Sequence, residues 1–234
     1  MSLLTMVQAV TDELGLPRPA AVLSSTDQTV RQMLALANRE GKQLARRFPW
    51  EALAKETSFT TVAAEIQGTL LTIAPDFARF QNDTMYDRTR AWSILGPLSA
   101  QEWQREKGGA ATGMRDQFRI RGGKILFLPA PAAGRTVYFE YQSRNWCKNA
   151  AGSTEREAWA ADTDLGILDE DLMALGLKWR FLKAKGLDYA EEFREYETRL
   201  YDARAQDGSK RRIEIGEGAA RAPGVGVPDG NWNL

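Results

Sequence analysis

The sequence contains no histidine and a single cysteine, Cys147, among its 234 residues. Without histidine, the chain cannot build a Ser-His-Asp triad, a Cys-His pair or an imidazole general base. One cysteine excludes an intrachain disulfide, and together these shortages exclude a zinc site of the usual Cys/His type within one chain. Enzymes that use carboxylates, lysine, serine or tyrosine remain, as do proteins that act through their surfaces.

The chain also lacks an excess of charge of either sign. Lysine and arginine together number 31, as do aspartate and glutamate, so the formal net charge is zero. Proteins that coat nucleic acid usually carry a basic excess, so this balance argues against that class without excluding local patches. No apolar run approaches the roughly 20 residues of a membrane span, and residues 1–10 lack a signal peptide pattern. We therefore expect a soluble protein with no membrane partner.

Helical periodicity dominates both ends of the chain. Apolar residues recur at helical spacing over 2–14, 27–47 and 172–206. The segment Lys185-Gly186-Leu187 interrupts the last range and predicts an αα-hairpin. Ser25 with Gln28, and Ser99 with Glu102, have the spacing of capping boxes, which predicts that helices begin at these two serines.

Between the helical ends the apolar period changes to two, as is typical of strands. Strands are predicted at 57–61, 69–73, 86–95 and 136–141, and a hairpin at 117–128. The hairpin signal is the strongest, because Gly122-Gly123 separates two apolar runs and both glycines accept a positive φ.

The order of helices, strands and helices predicts an α+β fold. We expect a discontinuous antiparallel helical bundle, an inserted β-rich domain and an extended C-terminal arm. The predicted boundaries are 1–54 and 165–206 for the bundle, 55–150 for the β-rich insertion, 151–164 for an acidic linker and 207–234 for the arm.

Two stretches carry opposite charge. Residues 149–171 hold seven acidic residues against Arg156, and such a cluster occurs in glycosidases and divalent metal sites. The spacing matches no calcium loop, however, and a solvated linker explains the same residues. Residues 79–124 hold nine basic and five acidic residues with interleaved aromatics, which suits either a nucleic-acid face or, as we favour, a solvated or subunit-facing sheet.

Cys147 is interpreted as a small, partly buried apolar residue. An active thiol needs a cation cluster or a histidine that lowers its pKa, and Lys148 is the single adjacent cation. No catalytic, cofactor-binding or metal-ligating residue is predicted, and no cofactor.

Three segments carry a resemblance to a known family. They are Phe118–Pro131, Thr136–Tyr141 and Leu172–Tyr201, the last with Leu175-Gly-Leu-Lys-Trp-Arg180. The chain resembles the head-to-tail adaptor, or connector, proteins of short-tailed bacteriophages, and is similar to their tail tubular adaptors over about residues 25–212.

The resemblance implies a structural protein of the virion neck and tail that is not an enzyme and is assembled in the host cytoplasm. It implies a ring of twelve copies beneath the portal, which extends the DNA channel and provides a platform for the tail nozzle. The partners implied are the portal protein, a tail nozzle or tail tube protein, further copies of the chain, and genomic DNA passing non-specifically through the lumen. The alternatives are another neck or tail component, a nucleic-acid-binding module and a carboxylate-based tail hydrolase.

The resemblance also implies contact residues. The arm is expected to dock on the portal through Arg211, Arg212, Ile213, Ile215, Val225, Val227, Trp232 and Leu234. The β-rich insertion is expected to meet the nozzle or a neighbouring subunit through Arg119, Arg121 and Lys124. Asp162 and Asp164 of the acidic linker are expected to supply the opposite charge across a subunit contact.

Overall fold

A computed structural model of the chain describes residues 1–109 and 115–208. The described residues divide into two compact units. Unit 1 comprises residues 1–55 and 142–208, and unit 2 comprises residues 56–141. The predicted portal-docking residues between Arg211 and Leu234 lie outside the described residues, and so does nearly all of the predicted arm.

Helices and strands are both present in the described residues, in agreement with the predicted α+β class. The helices are α1 (Leu3–Glu13), α2 (Gln28–Arg47), α3 (Leu70–Ile73), α4 (Ala100–Gly108), α5 (Glu170–Lys185) and α6 (Ala190–Gln206). The strands are β1 (Ala54–Thr60), β2 (Ile66–Thr69), β3 (Phe77–Phe80), β4 (Tyr86–Asp87), β5 (Trp92–Ser93), β6 (Gln117–Arg121), β7 (Lys124–Leu128), β8 (Thr136–Ser143), β9 (Cys147–Lys148), β10 (Glu155–Arg156) and β11 (Leu165–Gly166).

Local capping explains where the helices begin. The predicted capping box at α4 is confirmed: the Ser99 hydroxyl accepts from the Glu102 backbone N–H, and the Glu102 carboxylate accepts from the Ser99 N–H. The predicted box at Ser25 is wrong, because α2 is capped by Asp27 instead. The Asp27 carboxylate accepts from two backbone N–H groups of the first turn, and a charged acceptor suits a helix N-terminus.

Unit 1 has one apolar core to which α1, α2, α5 and α6 all contribute. Its buried side chains include Leu3, Val7, Val30, Met33, Ala37, Leu44, Leu172, Leu177, Phe181, Tyr196 and Leu200. Gly41 lies against the fully buried Trp146 ring, which a Cβ at that position would overlap. A side chain larger than hydrogen is therefore excluded where α2 passes this ring.

A buried charge cluster joins three helices of unit 1. Glu40 of α2 is fully buried and forms an ion pair with Arg180 of α5. Its other carboxylate oxygen accepts a hydrogen bond of 2.7 Å from the Tyr196 hydroxyl on α6. A Cβ at Gly176 would overlap the Glu40 carboxylate, so this glycine leaves the room that the charge needs. The pKa of Tyr196 is raised, mainly by burial and secondly by the adjacent Glu40 charge. The hydroxyl therefore stays protonated and donates to Glu40.

Unit 2 is built on two antiparallel sheets. One has the order β1-β8-β4-β5, with β3 also pairing with β8, and the other has the order β2-β7-β6. The predicted hairpin at 117–128 is confirmed as β6 and β7, and its turn glycines have φ of 56° at Gly122 and 71° at Gly123. The core of this unit includes Phe118, Ile125, Phe127, Val137 and Phe139.

A second buried charge cluster lies in unit 2. Nη1 of Arg135 is 3.0 Å from Oδ2 of Asp87 and 2.5 Å from Oδ2 of Asp116. The three side chains are 6%, 1% and 12% exposed, respectively. Nε and Nη2 of Arg135 have no hydrogen-bond partner among the described residues. Both ion pairs therefore involve the same Nη1 atom, and the single positive charge of Arg135 balances two carboxylates.

Two predicted strands differ from the structure. The strand predicted at 86–95 is a hairpin of β4 and β5, whose turn contains Ala91 at a φ of 58°. The turn lacks the glycine or asparagine that usually marks a positive φ, so the sequence carries no signal for it. The strand predicted at 69–73 is the short helix α3, and β2 ends where α3 begins.

The segment predicted as a linker at 151–164 folds as part of unit 1. Strands β10, β9 and β11 form a three-stranded antiparallel sheet in that order. The backbone N–H groups of Leu3 and Leu4 donate to carbonyl oxygens of this segment, which ties it to the start of α1. The acidic residues here therefore belong to a folded layer of unit 1.

Candidate interaction surfaces

The described residues contain no group of three or more histidine, cysteine, aspartate or glutamate side chains placed to hold a metal ion. None of the helices in these residues has the length and the apolar character that a bilayer crossing requires. The candidate interaction surfaces are the two stretches of opposite charge that the sequence predicts, and nearly all of both lies within the described residues.

Asp164 is turned into the interior of unit 1. Its side chain is 0% exposed and lies 2.9 and 3.0 Å from Nη1 of Arg156. The same carboxylate accepts hydrogen bonds from the backbone N–H groups of Ala160 and Ala161 at 2.8 and 2.9 Å. The predicted subunit contact of Asp164 is thus corrected: its charge organises the 156–164 turn and has no surface with which to meet a neighbour.

Asp162 also bonds within the chain. Its two carboxylate oxygens accept from the backbone N–H groups of Val22 and Leu23, at 3.1 and 2.9 Å, and so hold the loop between α1 and α2. Other acids of this stretch have partners within unit 1 as well: Glu155 pairs with Lys55, Glu157 with Arg144 and Asp169 with Arg199. Ion pairs within unit 1 therefore neutralise most of the acidic excess of residues 149–171.

Cys147, predicted to be a small and partly buried apolar residue, is fully buried. Its thiol donates a hydrogen bond of 3.2 Å to the carbonyl oxygen of Arg156. Burial, together with the nearby Asp164 charge, raises the pKa of the thiol to about 12. The structure therefore makes this cysteine a packing residue.

We expect the Cys147 thiol of the folded protein to resist alkylation at pH 8. A pKa of about 12 leaves a thiolate fraction about a thousandfold below that of an exposed cysteine, and burial adds a steric barrier. The rate of modification by a maleimide or a disulfide reagent measures this, with the urea-unfolded chain as the reactive control. Equal rates in the folded and unfolded chains would contradict the buried assignment.

Several cations of the basic stretch also have partners within unit 2. Arg88 lies 2.6 Å from the Glu56 carboxylate and sits over the Tyr138 ring, and Lys107 lies 2.8 Å from Glu65. Two of the interleaved aromatics, Trp103 and Phe118, are fully buried. Bases cannot stack on these two buried rings, whereas Trp92 of the same stretch is 48% exposed.

The predicted residues Arg119, Arg121 and Lys124 lie together on one face of the β2-β7-β6 sheet. In the antiparallel register, Arg121 is opposite Lys124, which is opposite Thr69. Arg119 is opposite Leu126, which is opposite Ile66. Directly opposed residues share a face of the sheet, so these side chains form one surface. We call Arg119, Arg121, Lys124, Thr69 and Ile66 the cationic sheet face.

The cations of the cationic sheet face are unpaired. None of the three forms an ion pair with any residue that the structure describes. Arg121, Lys124 and Thr69 are exposed, Arg119 is half-buried and Ile66 is 48% exposed. The other side of this sheet packs into the core of the unit through Phe118, Ile125 and Phe127. Leu126, which shares this face between Arg119 and Ile66, is 1% exposed, so the face is covered at that point and is open at Arg121, Lys124 and Thr69.

An acidic surface that we did not predict runs along α6. Glu191, Glu195 and Asp202 are exposed and lie at positions i, i+4 and i+11, which place them on one side of a helix. The ion pair between Glu191 and Arg194 involves side chains that are 77% and 74% exposed, so it is weak. We call these three acids the acidic helix stripe. Their spacing is visible in the sequence, but the apolar periodicity of the same segment indicates core residues and draws attention away from it.

Comparison with known proteins gives the chain its family. No curated protein that was compared matches it. A family model described as SU10 adaptor protein matches residues 1–225, which is nearly the whole chain and includes both units. The match agrees with the resemblance drawn from the hairpin and from the helices of the second half. The chain belongs to the SU10 adaptor protein family and is a structural head-to-tail adaptor of a bacteriophage.

Proposed function

We propose that the chain forms a ring beneath the phage portal, extends the DNA channel and provides the platform on which the tail nozzle assembles. The match to the SU10 adaptor protein family over residues 1–225 is the observation that carries this proposal. An adaptor of this kind joins the portal to tail components in the virion neck, and its copies assemble in the host cytoplasm. Twelve copies form the ring in this proposal.

The C-terminal arm is the segment that docks on the portal. A Gly/Pro-rich tail that carries apolar residues at intervals suits binding in an extended form, including addition as a strand through Ile213–Ile215. The structure supports a fixed starting point for the arm. Just after α6, the Asp207 carboxylate accepts a hydrogen bond of 2.7 Å from the backbone N–H of Glu51. The arm therefore leaves unit 1 from a defined position.

The DNA passes through the ring without sequence recognition. Each phosphate contact made by one subunit is repeated around a ring, so a basic lumen would hold DNA strongly and in a salt-dependent way. The formal net charge of zero limits that effect. A channel with few unpaired cations lets the genome pass in either direction.

Truncation after Gly208 is expected to abolish portal binding while leaving unit 1 and unit 2 folded. The truncated chain keeps Asp207 and its hydrogen bond to Glu51, so α6 retains its C-terminal anchor. Co-sedimentation with purified portal assemblies measures binding, and circular dichroism measures the fold.

A matched variant separates the arm's chemistry from its length. Replacing Val225, Val227, Trp232 and Leu234 by serine keeps the arm but removes its apolar anchors, and we expect it to bind as poorly as the truncation. If the truncated chain binds portals as well as the full chain does, the arm has no docking role. The ring would then have to meet the portal through the folded units.

A further inference from the structure

We propose that neighbouring copies join by docking the cationic sheet face of one copy on the acidic helix stripe of the next. This inference rests on the ring proposed above. The occupant of the sheet face is thus a second copy of this chain. The contact is heterologous, because each copy offers one face of unit 2 and a different face of unit 1.

The two surfaces match in the number of their charges, which are of opposite sign, and in the spacing of one pair on each surface. Arg119 and Arg121 are two residues apart on β6, a separation of roughly 6.6 Å, and Lys124 lies opposite Arg121 at roughly 5.5 Å. On α6, Glu191 and Glu195 are separated by a rise of roughly 6 Å, and Asp202 lies roughly 10 Å further along. The spacing of Arg119 and Arg121 therefore suits Glu191 and Glu195, whereas Asp202 lies beyond the span of the three cations.

Each surface also has an apolar residue at its border. Ile66, at the edge strand of the cationic sheet face, is 48% exposed, and Tyr201, next to Asp202 on α6, is 71% exposed. Interfaces are strengthened where an exposed apolar or aromatic side chain is enclosed among charged neighbours. Docking the two surfaces would bury both residues, which neither unit does by itself.

The charge distribution favours a second copy over DNA as the occupant. A closed ring of heterologous contacts needs two different complementary faces on every chain, and this chain carries both with a formal net charge of zero. If DNA occupied the sheet face, a ring of unpaired cations would hold phosphates, and the acidic stripe would keep only weak partners such as Arg194. Pairing the faces between copies neutralises both at once.

Charge reversal of either face tests the contact. In the first variant Arg119, Arg121 and Lys124 are replaced by glutamate, and in the second Glu191, Glu195 and Asp202 are replaced by lysine. Each variant alone presents like charges across the contact, so we expect about tenfold or greater loss of ring assembly on portals. An equimolar mixture is expected to restore assembly, because alternating copies again place opposite charges at every contact in an even-numbered ring.

The control is a third variant in which Arg31, Arg39 and Lys42 on the exposed side of α2 become glutamate. It carries the same change of charge as the first variant and is expected to assemble like the wild type. Circular dichroism verifies that all variants fold.

Two results would overturn the inference. One is normal assembly of either single variant, and the other is failure of the mixture while both variants remain folded. Loss of DNA binding by the first variant without loss of assembly would assign the face to DNA instead. The proposed function itself is tested separately by the wild type: if wild-type chains form no ring on portals, the adaptor ring fails regardless of these variants.

Discussion

Replacing Arg180 by methionine is expected to lower the free energy of unfolding of unit 1 by about 3–5 kcal/mol. Glu40 is fully buried, and Arg180 is the cation that balances its charge. The Tyr196 hydroxyl still donates to Glu40 in the variant, but a neutral donor does not neutralise a buried carboxylate. The midpoint of denaturant unfolding measures the loss of stability. Hydrogen exchange of the α5 amides shows whether the loss lies in unit 1.

The double variant E40Q/R180M separates charge from packing. Glutamine keeps an oxygen that accepts from Tyr196 and removes the uncompensated charge, so the double variant is expected to be more stable than R180M alone. Arg194→Met is the surface control, since Arg194 and its partner Glu191 are 74% and 77% exposed and such a pair contributes little. If R180M were no less stable than R194M, the Glu40 cluster would have no role in joining α2, α5 and α6.

Replacing Arg135 by methionine is expected to destabilise unit 2 by a similar amount, about 3–5 kcal/mol. Without this guanidinium, the nearly buried carboxylates of Asp87 and Asp116 lose their common counter-charge. Asp87 also accepts from the backbone N–H groups of Thr89 and Arg90, so its displacement would disturb the β4–β5 turn. Hydrogen exchange of β8 and β4 is expected to rise, while exchange of α5 stays unchanged.

Arg88→Met is the control for this experiment. Arg88 and its partner Glu56 are about half exposed, so breaking that pair is expected to cost under about 1 kcal/mol. The variant D87N/D116N/R135M removes all three charges and is expected to recover part of the lost stability. Equal stability of R135M and R88M would show that the buried cluster contributes nothing to unit 2.

Features set by neighbouring residues were predictable from the sequence. The Ser99–Glu102 capping box and the hairpin turn at Gly122-Gly123 depend on atoms a few residues apart, and both are found as predicted. The register of that hairpin follows from its two-residue turn, and it brings Arg119, Arg121 and Lys124 to one face.

Features set by distant partners were not predictable. Asp162 is linked to Val22 and Leu23 across about 140 residues of sequence, and no local signal distinguishes it from a solvated acid. The sequence predicts Asp164 as a linker residue for the same reason, although its side chain is fully buried. Among the described residues an exposed acidic stripe lies on α6, and a count of charges along the sequence does not distinguish it from acids that are paired or buried.

Electron microscopy of purified portal assemblies mixed with this protein tests the central claim most directly. Our account predicts a ring of added density at one end of each portal, coaxial with its channel and continuous with its lumen, and absent when the chain ends at Gly208. Portals that remain bare at saturating protein, while the same protein binds free DNA tightly, would contradict it.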